Sequence, residues 1–205
     1  MPEKTVQKEP GKKPAPSKKP KPQQEVVVQI PLSELHPFPD HPFQVREDAS
    51  MQETAESVKE YGVLVPALAR PREDGGYELI AGHRRKHACE LAGLATMPVI
   101  VRDIDRDAAT IIMVDSNLQR ENILPSERAK AYKMKMEAIK RQGARTDLTS
   151  PKISAKFRSD DEVGQDAGVS GDTIRNYIAL TQLVPELQQM VDEKKIALSP
   201  AYQIA

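Results

Sequence analysis

Val26, Val27, Val28 and Ile30 are the first dense apolar run in the chain and predict a strand. A turn-rich stretch from His36 to Gln44 follows, with three prolines. Met51, Ala55 and Val58 then recur on one helical face; Ser50 and Glu53 form a capping box in front of them, and Gly62 stops the helix. Val63 to Ala69, Tyr77 to Ile80 and Met97 to Val101 are short β-branched or aliphatic runs that predict strands, with Asp74, Gly75 and Gly76 as a turn between the first two. Helices are expected between Gly82 and Gly93 and from about Asp107 to Gln119, the latter with Ala108, Ile111, Ile112 and Leu118 near one face. Residues 25–122 therefore read as one α/β domain.

From Leu124 and Pro125 onward the pattern is helical only, so residues 123–205 read as an all-α domain. Ala129, Tyr132, Met136 and Ile139 predict a helix over Ser126 to Gln142 that ends at Gly143, and a polar loop runs from Ala144 to Arg158. Ser159 and Glu162 start a short helix ended by Gly168, Ser170 caps another through Leu180, Pro185 begins a further one, and Ser199 and Pro200 signal the last. A two-turn helix, the turn Gly168, Val169, Ser170, and a second helix with Ile174 and Ile178 facing inward match a helix-turn-helix. On that reading Ser170, Gly171, Asp172, Thr173, Arg175 and Asn176 form the DNA-facing start of the recognition helix, where Arg and Asn suit bidentate contacts to base edges. The alternative is an ordinary helical hairpin.

Charge divides the chain further. The 205 residues carry 30 basic and 30 acidic side chains. Residues 1–24 are nonetheless +5, residues 25–124 are −7 and residues 125–205 are +2. The first 24 residues mix Lys, Pro and Gln with little to bury, which predicts a disordered basic tail rather than a leader peptide. The single cysteine, Cys89, excludes an internal disulfide, and with no apolar run near the ~18 residues of a membrane helix a cytoplasmic protein is expected. Five Tyr, three Phe and no Trp speak against an aromatic platform for single-stranded nucleic acid.

His83, Arg84, Arg85 and Lys86 follow Gly82 directly and place three cations in a first helical turn, against the helix dipole. A bound phosphate would compensate them, because free N–H groups at a helix start bind anions and Arg adds a planar fork of donors. The alternative is a solvated basic turn facing the acidic surface of the same domain. The lysine-containing phosphate-loop signature is absent. His83 and His87 have the spacing of a zinc-protease helix, but Arg84 stands where its glutamate belongs; His36 and His41 sit in the Pro-rich turn with no clustered ligand.

Four motifs in order resemble the ParB/RepB family of bacterial and plasmid partition proteins, over about Ile30 to Ala205. Pro42 to Arg46 is similar to the family's Gln-Pro-Arg box, with Val45 in place of proline, and Gly62 to Pro66 to its next strand motif. Ala81 to Arg85 resembles the GERR motif that holds a triphosphate, and Ser116 to Glu121 resembles ENLQRE, followed by Leu124, Pro125 and the helix-turn-helix. The resemblance implies a sulfiredoxin-like α/β domain that binds CTP with Mg2+, a helical domain that recognises an inverted-repeat site on double-stranded DNA, and a homodimer that closes into a sliding clamp. It further implies a Walker-type partition ATPase as a partner, and more helices and a dimerisation domain beyond Ala205.

Carried over by position, Gly82, His83, Arg84 and Arg85 meet phosphates, and Gln44, Arg46, Gly62, Val65, Ser116, Asn117, Gln119 and Arg120 complete the nucleotide site, with Asn117 on the magnesium. His83 and Ser116 depart from family glutamates, which removes two carboxylates from where a hard cation wants oxygen and sets binding ahead of CTP hydrolysis. Asp115 is one residue from Ser116, and ~100° of helical turn points it elsewhere. Other readings of this architecture are a transcriptional or nucleoid regulator, a ParB-like nuclease, or sulfiredoxin chemistry. The last lacks the required cysteine, since Gly82 occupies its place.

Overall fold

The computed structural model describes residues 25–120, 122–147 and 159–205. The expected basic tail, Glu121 and most of the expected polar loop lie outside the described residues. Five strands form one mixed sheet: β1 (Val27–Pro31), β2 (Leu35–Pro37), β3 (Ala67–Pro71), β4 (Tyr77–Ala81) and β5 (Thr96–Val101), in the order β1-β5-β3-β4-β2. β3 lies parallel to β5 and antiparallel to β4, β1 runs antiparallel to β5, and β2 parallel to β4. β4 is buried through Glu78, Leu79 and Ile80 because both sheet faces are covered. α1 (Ala49–Tyr61) and α2 (His83–Leu91) cover one face, where Met51, Val58, Ala88 and Cys89 pack on Leu79, Met97 and Val99. α3 (Arg106–Leu118) covers the other, where Met113 and Val114 meet Ile80, Phe38 and Phe43. Cys89 is a packing residue, fully buried.

Helix α4 (Pro125–Asp147) leads into α5 (Ser159–Ala167), α6 (Gly171–Ala179), α7 (Pro185–Asp192) and α8 (Leu198–Ile204). Its faces serve different neighbours. Ala131 joins the sheet-side core with α3, Ala129 the cluster with Leu180, Leu183, Val191 and Ala201, and Tyr132 the cluster with Val163 and Ile174. Lys135 of α4 is 1% exposed and donates to Asp115 of α3 at 2.6 Å and to Asp166 of α5 at 2.8 Å. Burial alone would push its ammonium pKa down, but the two carboxylates outweigh burial and hold it above the usual value. Asp115 does point away from the neighbours of Ser116, as its helical phase requires. Among the described residues no helix is long and apolar enough to cross a membrane.

Three boundaries differ from expectation. The cap of α1 is Asp48, whose Oδ1 accepts from Met51 N at 2.9 Å, so Ser50 lies inside the first turn instead of in front of it. Val63–Pro66 is a loop, and β3 begins only at Ala67: Pro66 has no N–H for a ladder, and Leu64 and Val65 are exposed. α4 continues past Gly143 to Asp147. The three-residue β2 carried too little pattern to be read from the sequence.

Candidate functional site

Gly82 links β4 to α2 with φ +113°, a conformation that side-chain-bearing residues rarely adopt. A Cβ there would stand 2.8 Å from that of Ala67 at the start of β3, so the turn into α2 passes too close to β3 for a side chain. No side chain caps α2, and its first turn borders a cavity of about 220 Å³. His41 and Phe43 from the proline-rich loop, Gly82 to Arg85, and Ser116, Asn117 and Arg120 from the end of α3 line it. A second hollow of about 460 Å³ adjoins it through Phe43, Arg84 and Arg120 and holds Gln44, Arg46, Asp48 and Ser50. Together they reach the size range of small-molecule pockets.

The positive charge here is only partly matched. Arg84 donates to Ser50 Oγ at 3.2 Å and has the Asp48 carboxylate 4.0 Å away. Burial, then the like charges of Arg84 and Arg46, hold the guanidinium pKa of Arg120 below its usual value; Glu127 only partly opposes them. Arg120 donates to Asn117 Oδ1 at 3.3 Å. Arg85 is placed differently: it donates to the carbonyls of Val65 and Pro66, both at 2.6 Å, so it fastens the 63–66 loop at the edge of the cavity. Glu127 spans the loop and α4, accepting from Gln44 N at 3.1 Å and Leu124 N at 3.2 Å.

The structure thus gathers Gly82, His83, Arg84, Arg85, Ser116, Asn117 and Arg120 around one cavity and Gln44 and Arg46 around its neighbour. Gly62 and Val65 line a third, open hollow that shares Arg85 with the cavity. Gln119 lies apart from the others: it is the C-cap of α3 and lines a separate hollow with Asp115, Arg128 and Asp166. His41 was passed over in the sequence, 42 positions from the histidine it meets. Its ring lies 4.0 Å from that of His83, and burial lowers the pKa of both. That of His83 falls to about 3, with His41, Lys86 and Arg120 adding to the effect of burial.

Magnesium is poorly served. The cavity lining contains no carboxylate, the amide oxygen of Asn117 already accepts from Arg120, and Ser116 Oγ donates to Met113 O at 2.9 Å. The residues that approach fit a polyanion and do not fit a hard cation.

In the helical half, Ser170 caps α6, accepting from Thr173 N at 3.2 Å, and Gly168 takes φ +68° at the preceding turn. Asp172, Arg175 and Asn176 are exposed and Thr173 partly so. Gly171 does not project as expected: it is buried, and a Cβ would press on Asp161 of α5. Arg175 pairs with Asp160 and Asp172.

The ParB N-terminal domain family model matches residues 16–118. The chain belongs to the ParB family. This ParB-family chain is 35% identical over 176 residues to the chromosome-partitioning protein Spo0J of Thermus thermophilus, covering 85% of the chain and 58% of that protein. It is 39% identical over 170 residues to a probable chromosome-partitioning protein ParB of Helicobacter pylori, covering 83% and 52%. The chain spans about half the length of these curated relatives. It also resembles the C-terminally truncated ParB of Caulobacter crescentus complexed to the centromeric parS site. There the TM-score is 0.56 at 27% identity, over 86% of this chain and 83% of that one.

Proposed function

We propose that this ParB-family chain is a DNA-binding partition protein whose α/β half takes a nucleoside triphosphate, CTP, in the paired hollows at the start of α2. The observation that carries the nucleotide reading is the smaller cavity: an uncapped helix start with Arg84 and Arg120 close together and no carboxylate in its own lining, Asp48 and Glu127 belonging to the adjoining hollow. Arg84, Arg120 and the α2 amides hold phosphates, and Gln44 and Arg46 line the continuation. The choice of cytidine rests on the family resemblance of the Pro42–Arg46 and Ala81–Arg85 motifs.

For DNA, α5, the Gly168–Ser170 turn and α6 form the helix-turn-helix, with Thr173 and Asn176 turned toward base edges and Ser170 and Asp172 at the rim. Support comes from the Caulobacter relative, whose structure is complexed to centromeric parS. The domains divide at residues 122–123, the protein acts as a homodimeric clamp on double-stranded DNA at the nucleoid in the cytoplasm, and a Walker-type ATPase is its partition partner. Calorimetric titration with CTP, ATP and GTP, with and without a parS-type duplex, tests the reading. CTP is expected to bind most tightly; heats equal to buffer for all three would remove the nucleotide function and leave a DNA reader.

A further inference from the structure

The corner where α5 meets α6 carries the wrong charge for a surface that meets DNA. Asp160, Asp161 and Glu162 fill the first turn of α5, Asp172 stands in the first turn of α6, and Arg175 is the one cation of α6. DNA-binding surfaces gather positive charge, because phosphate contacts supply the sequence-independent part of the affinity. Acids in a first turn suit the helix dipole, which accounts for the three on α5. The pairing of Arg175 needs a further reason. Its Nη1 donates to Asp160, whose side chain is 10% exposed, and its Nη2 to Asp172, whose side chain is 78% exposed. One carboxylate anchors the guanidinium in the packing of α5 on α6, and the other covers its outer end.

A phosphate approaching Arg175 must displace one carboxylate or lie beside both, so it trades one anion for another and meets repulsion from Asp172. Base edges reached by Thr173 and Asn176 ask for no such exchange. We infer that Asp172 is a specificity-determining residue that acts by denial: it withholds Arg175 from phosphates and so weakens sequence-independent binding more than binding at the recognised site. The inference rests on the helix-turn-helix reading. A rim position suits this role, since a carboxylate there meets the backbone before it meets bases. Discrimination grows whenever the wrong complex is made worse, even with no added contact to the right one. Asp172 makes the random complex worse twice, through its own charge and through the cation it occupies.

The test is fluorescence anisotropy with a parS-type duplex and a random duplex of equal length, over a range of salt, on the 205-residue chain and its Asp172→Asn and Glu162→Gln variants. Urea midpoints verify folding. For Asp172→Asn the ratio of specific to random affinity should fall about fivefold, the equivalent of one modest charge contact. Its random-duplex affinity should also depend more steeply on salt, by roughly 0.9 in the log–log slope, the increment for one added phosphate contact. Glu162→Gln removes the same charge from α5 and leaves both ion pairs of Arg175 in place, so it should move the ratio by less than about twofold. An unchanged ratio for Asp172→Asn, or equal falls in the two variants, overturns the inference and leaves the helix-turn-helix standing. A native chain that binds both duplexes equally overturns both.

Discussion

Arg120 and Arg175 sit in the two halves of the same molecule under opposite conditions. Arg120 is half-buried; burial first, then the like charge of Arg84, lower its pKa, Glu127 opposes them and Arg46 adds a smaller repulsion. Arg175 stands between Asp160 and Asp172, which raise its already high pKa. Around the cavity of the α/β half arginines are only partly matched, whereas Arg175 and Lys135 of the helical half each sit between two carboxylates. Charge placed against its own kind lowers stability unless a ligand offsets it, which is why the partly matched set supports the proposed anion site. A matched arginine on α6 braces α5 against α6; reading DNA with it requires breaking two ion pairs.

The sharpest way to break this contrast is to remove the unmatched cations. Arg84→Ala with Arg120→Ala should weaken CTP binding by about a hundredfold or more, as expected from losing two charge-assisted contacts. The urea midpoint of the free chain should stay level or rise, because repulsion is relieved; unchanged calorimetry would show that the phosphates lie elsewhere. The matched extreme is Lys135. Asp115→Asn with Asp166→Asn strands a buried ammonium and should cost about 3–5 kcal/mol in denaturant unfolding. Lys135→Met leaves two half-exposed carboxylates that water can solvate, and should cost much less. Equal losses would mean that the ammonium reaches solvent.

Acid titration probes the cavity more gently. In the nucleotide-free and metal-free chain, the pKa of His83 is about 3 when folded against 6.5 for a free side chain. Above pH 6.5 both states carry it neutral. Below that, only the unfolded chain takes up the proton, so stability falls toward pH 5 by about 2 kcal/mol. His83→Gln should flatten this slope; a wild-type midpoint constant from pH 7.5 to 5 would contradict the burial of the ring. The smallest effect belongs to α6. Arg175→Ala should lower the urea midpoint modestly, since Asp160 loses its partner, whereas an unchanged midpoint would mean the side chain is free to meet bases.

Helices α2 and α6 and the end of α1 were legible because their signals are local: Gly62 stops α1, Gly82 and Gly93 flank α2, and Ser170 caps α6. So was the core of the basic site, since Gly82 to Arg85 are contiguous. What escaped depends on distance. Two acceptable caps lay within three residues of each other, Asp48 and Ser50, and the choice fell to Asp48, leaving Ser50 Oγ to Arg84 from another helix. Val63 and Val65 have strand character, but Arg85 takes the carbonyls of Val65 and Pro66. His41 meets His83 only after the sheet has formed, and no periodicity records that encounter.

Lys135 carries one more consequence. Its two partners belong to the helix that ends at the cavity before α2 and to the helix before the α6 turn, and its ammonium is almost fully shielded from water. If α3 shifts its end when a ligand arrives, α4 and α5 must travel with it or abandon a charge in a dry interior. The junction between the two halves is therefore a rivet, and a motion starting at one end is obliged to register at the other.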